Sequence, residues 1–308
     1  MISQKLSTNN ITKESIFVKG VLFDIDIGYW RGFSKLEAKD LDKEDSEIPV
    51  IFRLGHKRLL NDEAFKDLAT IEVRARNSVE RFSFPFLTSR VRFIPYTTLN
   101  DLITTVTEFQ DLFYKATDIF LFDFELNKEN FIKEYPKLDE KLRYKYPDIL
   151  NLRPKFFFTW SLFEMSIPKN IKEQLINKDQ AENLSQLYFN NQSQIYKQLD
   201  SWIEKVAQGM KAQIIDSCNY MSGIIKEQGQ LRPQTLKKVK ENLELLRNMN
   251  FLDDSQVNNA IDVLNNSLPA NIDRDTPSVL KQFQGVMNNL RSDLSTTSKE
   301  YTRKFILD

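Results

Sequence analysis

Residues 184–225 read LSQLYFNNQSQIYKQLDSWIEKVAQGMKAQIIDSCNYMSGII. Within them Leu184, Tyr188, Ile195, Leu199, Trp202, Val206, Met210, Ile214, Cys218, Met221 and Ile225 recur at steps of three, four or seven, so one helical stripe joins them. At 1.5 Å per residue such a segment is roughly 65 Å long, more than a compact domain requires. The stripe therefore predicts a long helix, an antiparallel hairpin or a coiled coil. Leu199, Val206 and Met210 are then a surface for a partner or for self-association. Asn190 and Asn191 are the expected break in the pattern.

Downstream the periodicity continues in shorter pieces. Pro233 stands at a first-turn position before Leu236 and Val239, residues 255–268 form a second helix, and Thr276 with Pro277 leads into Leu280, Phe283, Met287 and Leu290. Asp253 and Asp254, just before Ser255, read as a turn or helix cap, and residues 269–275 as a loop.

Upstream the character changes. Of the 36 Phe, Tyr and Trp residues, 27 precede Asn170, which divides the chain into an aromatic-rich α+β head over 1–169 and an all-helical region over 170–308. In the head, VLFDIDIGYW (21–30) alternates apolar and polar side chains with the period of a half-buried strand. The acidic run over 37–47 reads as a solvated loop. Asn61 opens a helix whose apolar face is Phe65, Leu68, Ile71, Ala75 and Phe82, closed by Pro85. Residues 91–94 suggest a short strand, and Leu99, Ile103, Val106, Phe109, Phe113, Ala116 and Phe120 a long amphipathic helix reaching toward Pro136. The run PKFFFTWSLFEM (154–165) is a strand that could pair with residues 21–30. The expected fold class is α+β and predominantly helical, a small antiparallel sheet with packed helices followed by a long helical arm or bundle.

Composition narrows the chemistry. One histidine, His56, and one cysteine, Cys218, exclude a Cys/His zinc site, a Cys-ligated iron–sulfur cluster, a Cys-x-x-Cys motif and a two-histidine metalloprotease helix. Lys plus Arg equals Asp plus Glu at 43 each, so no global field draws the chain to nucleic acid or a membrane. The eight glycines form no phosphate loop. The opening MISQKLSTNNITK (1–13) lacks an apolar h-region, and no window approaches a membrane span, so a cytoplasmic protein without membrane attachment is expected. His56 reads as structural or exposed and Cys218 as a small buried hydrophobe. No catalytic, cofactor or metal residue is assigned, and no cofactor is expected.

Two local patterns point to function. Between residues 53 and 92 nine Lys and Arg face five acids, and Lys57, Arg58, Arg74, Arg76, Arg81, Arg90 and Arg92 are interleaved with Phe82, Phe84 and Phe86, a composition suited to phosphates and bases. Asp24 and Asp26 resemble the nucleophile and acid/base pair of haloacid dehalogenase-like phosphatases, and such a pair on one strand face can approach Mg²⁺ and phosphate together. Ile27 and Gly28 depart from that family's pattern, and only helices follow residue 165 where strands should alternate with them.

A broader resemblance rests on Tyr29-Trp30-Arg31-Gly32, Lys35-Leu36, Leu54-Gly55-His56-Lys57-Arg58-Leu59 and a helix through Arg74, Ala75 and Arg76. In that order they resemble a bacterial and phage family of unknown function, with His56 in place of a small residue. The resemblance implies association with MoxR-type AAA+ ATPases and von Willebrand factor A proteins, and hence a component of an ATP-driven remodelling system. The resulting expectation is a non-enzymatic adaptor or scaffold subunit. The alternatives are nucleic-acid binding through residues 53–92 and, more remotely, a Mg²⁺-dependent phosphatase.

Overall fold

The computed structural model describes residues 16, 18–41, 43, 54–88, 90–164, 178–228, 231–268 and 277–295, with side chains of the helices over 178–228 and 277–295 from residues 193 and 281 onward. In chain order the elements are β1 (Gly20–Gly28), β2 (Phe33–Lys35), β3 (His56–Arg58), α1 (Lys66–Arg81), β4 (Phe84–Pro85), β5 (Arg92–Pro95), α2 (Tyr96–Phe122), α3 (Phe124–Glu134), α4 (Asp139–Arg143), α5 (Ile149–Leu152), β6 (Phe157–Phe163), α6 (Lys178–Gln228), α7 (Pro233–Met249), α8 (Ser255–Ser267) and α9 (Pro277–Ser295). The fold is α+β and mostly helical, with a small antiparallel sheet ordered β4-β5-β1-β6.

Strand β1 buries Val21, Phe23 and Ile27, leaves Asp26 exposed and half-buries Asp24, the alternation its sequence announces. It pairs with β5 in the register Gly20↔Pro95 to Phe23↔Arg92. β6 lies at the sheet's edge, next to β1. At Phe158 its backbone is bonded by side chains of α2: Gln110 Nε2 donates to the carbonyl at 2.7 Å, and the amide donates to the Tyr114 hydroxyl at 3.3 Å. Side chains thus occupy a position where a further strand would pair.

Two compact units make up the chain, and they are interleaved. One comprises Met1–Phe23, Phe82–Asn100 and Leu162–Asp308; the other comprises Asp24–Arg81 and Asp101–Ser161. Residues 82–100 therefore belong with the C-terminal helices.

The second unit has an aromatic core. Phe65 lies 5.2 Å from Phe120, Phe120 5.3 Å from Phe156, Phe113 5.7 Å from Phe158, and Trp30 meets Phe124 edge-on at 5.7 Å, offset arrangements that suit the ring quadrupole. A separate ribbon pairs β2 with β3, Phe33 opposite Arg58 and Lys35 opposite His56. The ribbon starts at Gly32, whose φ of +68° is left-handed and whose missing Cβ would fall 2.6 Å from the Phe65 ring.

The first unit is built on α6, 51 residues long or roughly 75 Å. It runs through Asn190 and Asn191 without the expected break, because weak local propensities do not interrupt a long helix that tertiary packing supports. Leu199, Trp202, Val206, Met210, Ile214, Cys218, Met221 and Ile225 are buried in one cluster with residues of α7, α8 and α9 and with Phe84 and Phe93. Trp202 Nε1 donates to the Pro85 carbonyl at 2.5 Å, and its ring meets Phe86 and Phe93 edge-on. Asp254 caps α8, its carboxylate accepting from the Gln256 and Val257 amides at 2.8 and 3.3 Å. The loop expected over 269–275 lies outside the described residues.

Candidate interaction surfaces

The basic residues of the first half do not converge on one face. Lys57 and Arg58 are successive residues of β3 and so project to opposite sides. Lys57 forms an ion pair with Asp40, the two side chains being 13% and 5% exposed, so its charge is spent inside the unit. Arg58 pairs with Asp62. On α1, Arg76 pairs with Glu72 at 3.2 Å, Arg81 is exposed but engaged by a neighbour, and Arg74 is exposed without a partner among the described residues. Phe84 is buried and Phe86 is packed against the same core, while Phe82 is half-buried. The rings that would stack on bases are largely committed to packing.

The motif residues of the family resemblance converge instead on a polar network. Arg31 Nη2 donates to Glu72 Oε2 at 2.7 Å, Arg76 Nε to Glu72 Oε1 at 3.2 Å, and Arg31 Nη1 to the Tyr29 hydroxyl. One carboxylate thus ties the end of β1 to α1. Burial raises the Tyr29 phenol above its ordinary pKa, opposed by Arg31. A second network joins the turn Ala38–Leu41 to β3. Lys145 and Lys39 donate to Glu37 and hold its carboxyl down at about 2. For Asp40, burial acts to raise the pKa, but the Lys57 ammonium and the Glu37 amide at 2.8 Å outweigh it and leave the carboxyl below its ordinary value. Both networks consume their charges internally, which makes them fasteners of the fold.

Leu199, Val206 and Met210 lie in the interior of the helical unit. The stripe they mark is covered by this chain's own helices, so what it binds is α7, α8, α9 and the β4–β5 hairpin. His56 is exposed on the ribbon. Cys218 is buried, and desolvation pushes its thiol up to about 11. Asp24 and Asp26 sit on an antiparallel strand in place of the parallel doubly wound sheet that the phosphatase resemblance implies. Among the described residues no group of three or more His, Cys, Asp or Glu could hold a metal ion.

A surface that the sequence reading passed over lies on α2 and α3. Leu112, Ile119 and Leu126 recur every seven residues, and Phe122 falls between the last two, all exposed, Phe122 by 89%. The two helices meet at a bend at Asp123, spanned by two main-chain bonds: Asp123 N donates to the Ile119 carbonyl at 3.0 Å and Asn127 N to the Asp123 carbonyl at 2.9 Å. The four side chains therefore follow one heptad row of about four turns, Leu112, Ile119 and Phe122 on α2 and Leu126 on α3. A second heptad row runs beside it: Asp111, Asp118 and Glu125, each exposed and each directly preceding one of the aliphatic residues. Asp118 meets Arg153 at 2.8 Å in a pair open to water, and Glu125 meets the half-buried Lys128 at 2.9 Å; Asp111 has no partner among the described residues. The opposite face buries Leu102, Val106, Phe113, Phe120 and Phe124. A helix with apolar residues on two faces hides the second from a search for one stripe, yet the repeated acid-then-aliphatic pair could have revealed it.

Fold and surface together define a mostly helical α+β protein whose aromatic unit presents an outward apolar helix face edged by carboxylates. The chain belongs to the family described as Protein of unknown function (DUF3150), whose model matches residues 18–291. No curated protein and no solved structure matches it.

Proposed function

We propose that the chain is a non-enzymatic adaptor or scaffold subunit of a multi-protein assembly. The observation that carries this reading is the exposed row Leu112, Ile119, Phe122 and Leu126, since contiguous apolar surface held in water marks a contact face. The sequence motifs add the finer part: their resemblance implies a MoxR-type AAA+ ATPase and a von Willebrand factor A protein as partners, and an ATP-driven assembly. Among the described residues no helix is long and apolar enough to cross a membrane. Nucleic-acid binding through residues 53–92 has less support, because Lys57, Arg58 and Arg76 are paired with acids and Phe84 is buried.

The test is purification of the tagged full chain from its native cell after mild cross-linking, with and without a non-hydrolysable ATP analogue, followed by mass spectrometry. A stoichiometric protein partner is expected, and an AAA+ ATPase among the products supports the finer reading. Recovery of the chain with nucleic acid and no protein contradicts the proposal.

A further inference from the structure

The exposed face on α2 and α3 has a register, and the register specifies its occupant. With Leu112, Ile119 and Leu126 at heptad position a, Lys115, Phe122 and Glu129 stand at d, Asp111, Asp118 and Glu125 at g, and Ala116, Asp123 and Asn130 at e. Helices that meet along such a seam cross at about 20° and place their e and g side chains against one another. A second copy of this chain is a poor occupant. Antiparallel pairing sets g against g, which brings the Asp111, Asp118 and Glu125 row against the same acids. Parallel pairing sets g against e, which gives those acids only Ala116, Asp123 and Asn130. Neither arrangement sets a base at e or g against those acids, the seam's one base, Lys115, standing at d, and like charges along a seam oppose association. The Asp118–Arg153 pair is solvent-exposed at both ends and therefore weak, so an incoming cation can replace it, and the Glu125 carboxylate, though paired with a half-buried Lys128, is itself open to a second cation.

We propose that this face docks an amphipathic helix of a partner protein, one that carries aliphatic residues at heptad spacing and a flanking row of Lys or Arg opposite Asp111, Asp118 and Glu125. The inference rests on the adaptor reading and names the chemistry of its partner. The aliphatic side chains supply most of the affinity by leaving water, and the acidic row sets orientation and partner choice.

The experiment uses the full chain and two synthetic fluorescein-labelled peptides of about four heptads, both with Ile and Leu at a and d, one with Lys and one with Glu at e and g. Fluorescence anisotropy is expected to show the Lys peptide binding at least about tenfold more tightly than the Glu peptide, with the difference shrinking as salt rises. Ile119→Asp weakens the Lys peptide by about tenfold or more, and Asp111→Lys with Asp118→Lys and Glu125→Lys reverses the preference. Leu126→Ser serves as the second variant, and all variants are compared at a melting temperature within a few degrees of the parent. Equal affinity for the two peptides, no binding of the Lys peptide, or binding untouched by Ile119→Asp and Leu126→Ser overturns the proposal, as does sedimentation showing self-association that Ile119→Asp abolishes. If the peptides fail while the native cell still yields a stoichiometric partner, the adaptor reading stands and the helix is wrong. If the native cell yields no protein partner, the adaptor reading falls whatever the peptides do.

Discussion

Single positions carry consequences that sequence patterns alone do not display. Gly32 is read from sequence as part of a motif, but its role follows from a left-handed backbone and a ring within 2.6 Å of where a Cβ would sit. Gly32→Ala is expected to cost about 1–3 kcal/mol in chemical denaturation, through strain rather than through any lost contact. Asp254 is similar in kind. Its carboxylate caps α8 and also lies 3.3 Å from the Lys211 ammonium, whose side chain is 3% exposed and donates to Gln256 Oε1 at 2.6 Å. Asp254→Ala removes a cap and strands a buried cation, so a loss of about 3–5 kcal/mol is expected. Asp254→Asn, which keeps the cap but not the charge, is expected to fall between the two. The cap was legible because acids before a helical run have one obvious use; the buried lysine was not, since nothing local says that Lys211 faces inward.

The cluster of Glu37, Asp40, Lys57 and Lys145 has a pH signature. Both carboxyls titrate below their ordinary values in the folded chain. The stability they contribute is therefore fully present above the unfolded range near pH 4 and is lost as pH falls, for Glu37 through about 2. Unfolding followed by circular dichroism between those limits is expected to show a decline that the double variant Glu37→Gln with Asp40→Asn flattens.

At the scale of elements, α6 and α2 are both long amphipathic helices with opposite fates. The stripe of α6 is legible because its steps of three and four persist from Leu199 to Ile225, and burial follows from it. What periodicity cannot say is whose side chains cover the stripe, and here they come from the same chain. Met210→Ala is accordingly expected to cost about 2–5 kcal/mol as a core truncation. Ile119→Ala on α2 is expected to shift stability by no more than about 0.5 kcal/mol, because that side chain already stands in water. Equal destabilisation by the two, measured by thermal unfolding, would show that the α2 face is packed in solution. The β2–β3 ribbon escaped the sequence reading for a different reason: strands of three residues are too short to display a period of two.

For the whole molecule, composition divides the chain at the fall in aromatic content near residue 170, whereas compactness interleaves its segments. The hairpin of β4 and β5 shows why. Phe84 and Phe93 look like neighbours of the aromatic-rich stretches around them, but Trp202 and Phe251, distant in sequence, complete their packing, with Phe93 and Phe251 ring centroids 4.7 Å apart. Contacts between residues so widely separated leave no local trace. The interaction face had the reverse fate: every residue of it lies within one stretch of sequence, yet its exposure depends on which side of α2 the aromatic core claims. Function at this scale therefore rests on a surface that only the fold makes visible.

The most direct measurement is a quantitative comparison of proteins co-purifying from the native cell with the tagged parent chain and with its Ile119→Asp, Phe122→Asp variant, matched for expression and melting temperature. The adaptor account predicts that at least one stoichiometric protein partner of the parent is depleted about tenfold or more from the variant, since both substitutions place a charge at the centre of the apolar row. Identical partner profiles, or no stoichiometric protein with either chain, would contradict it.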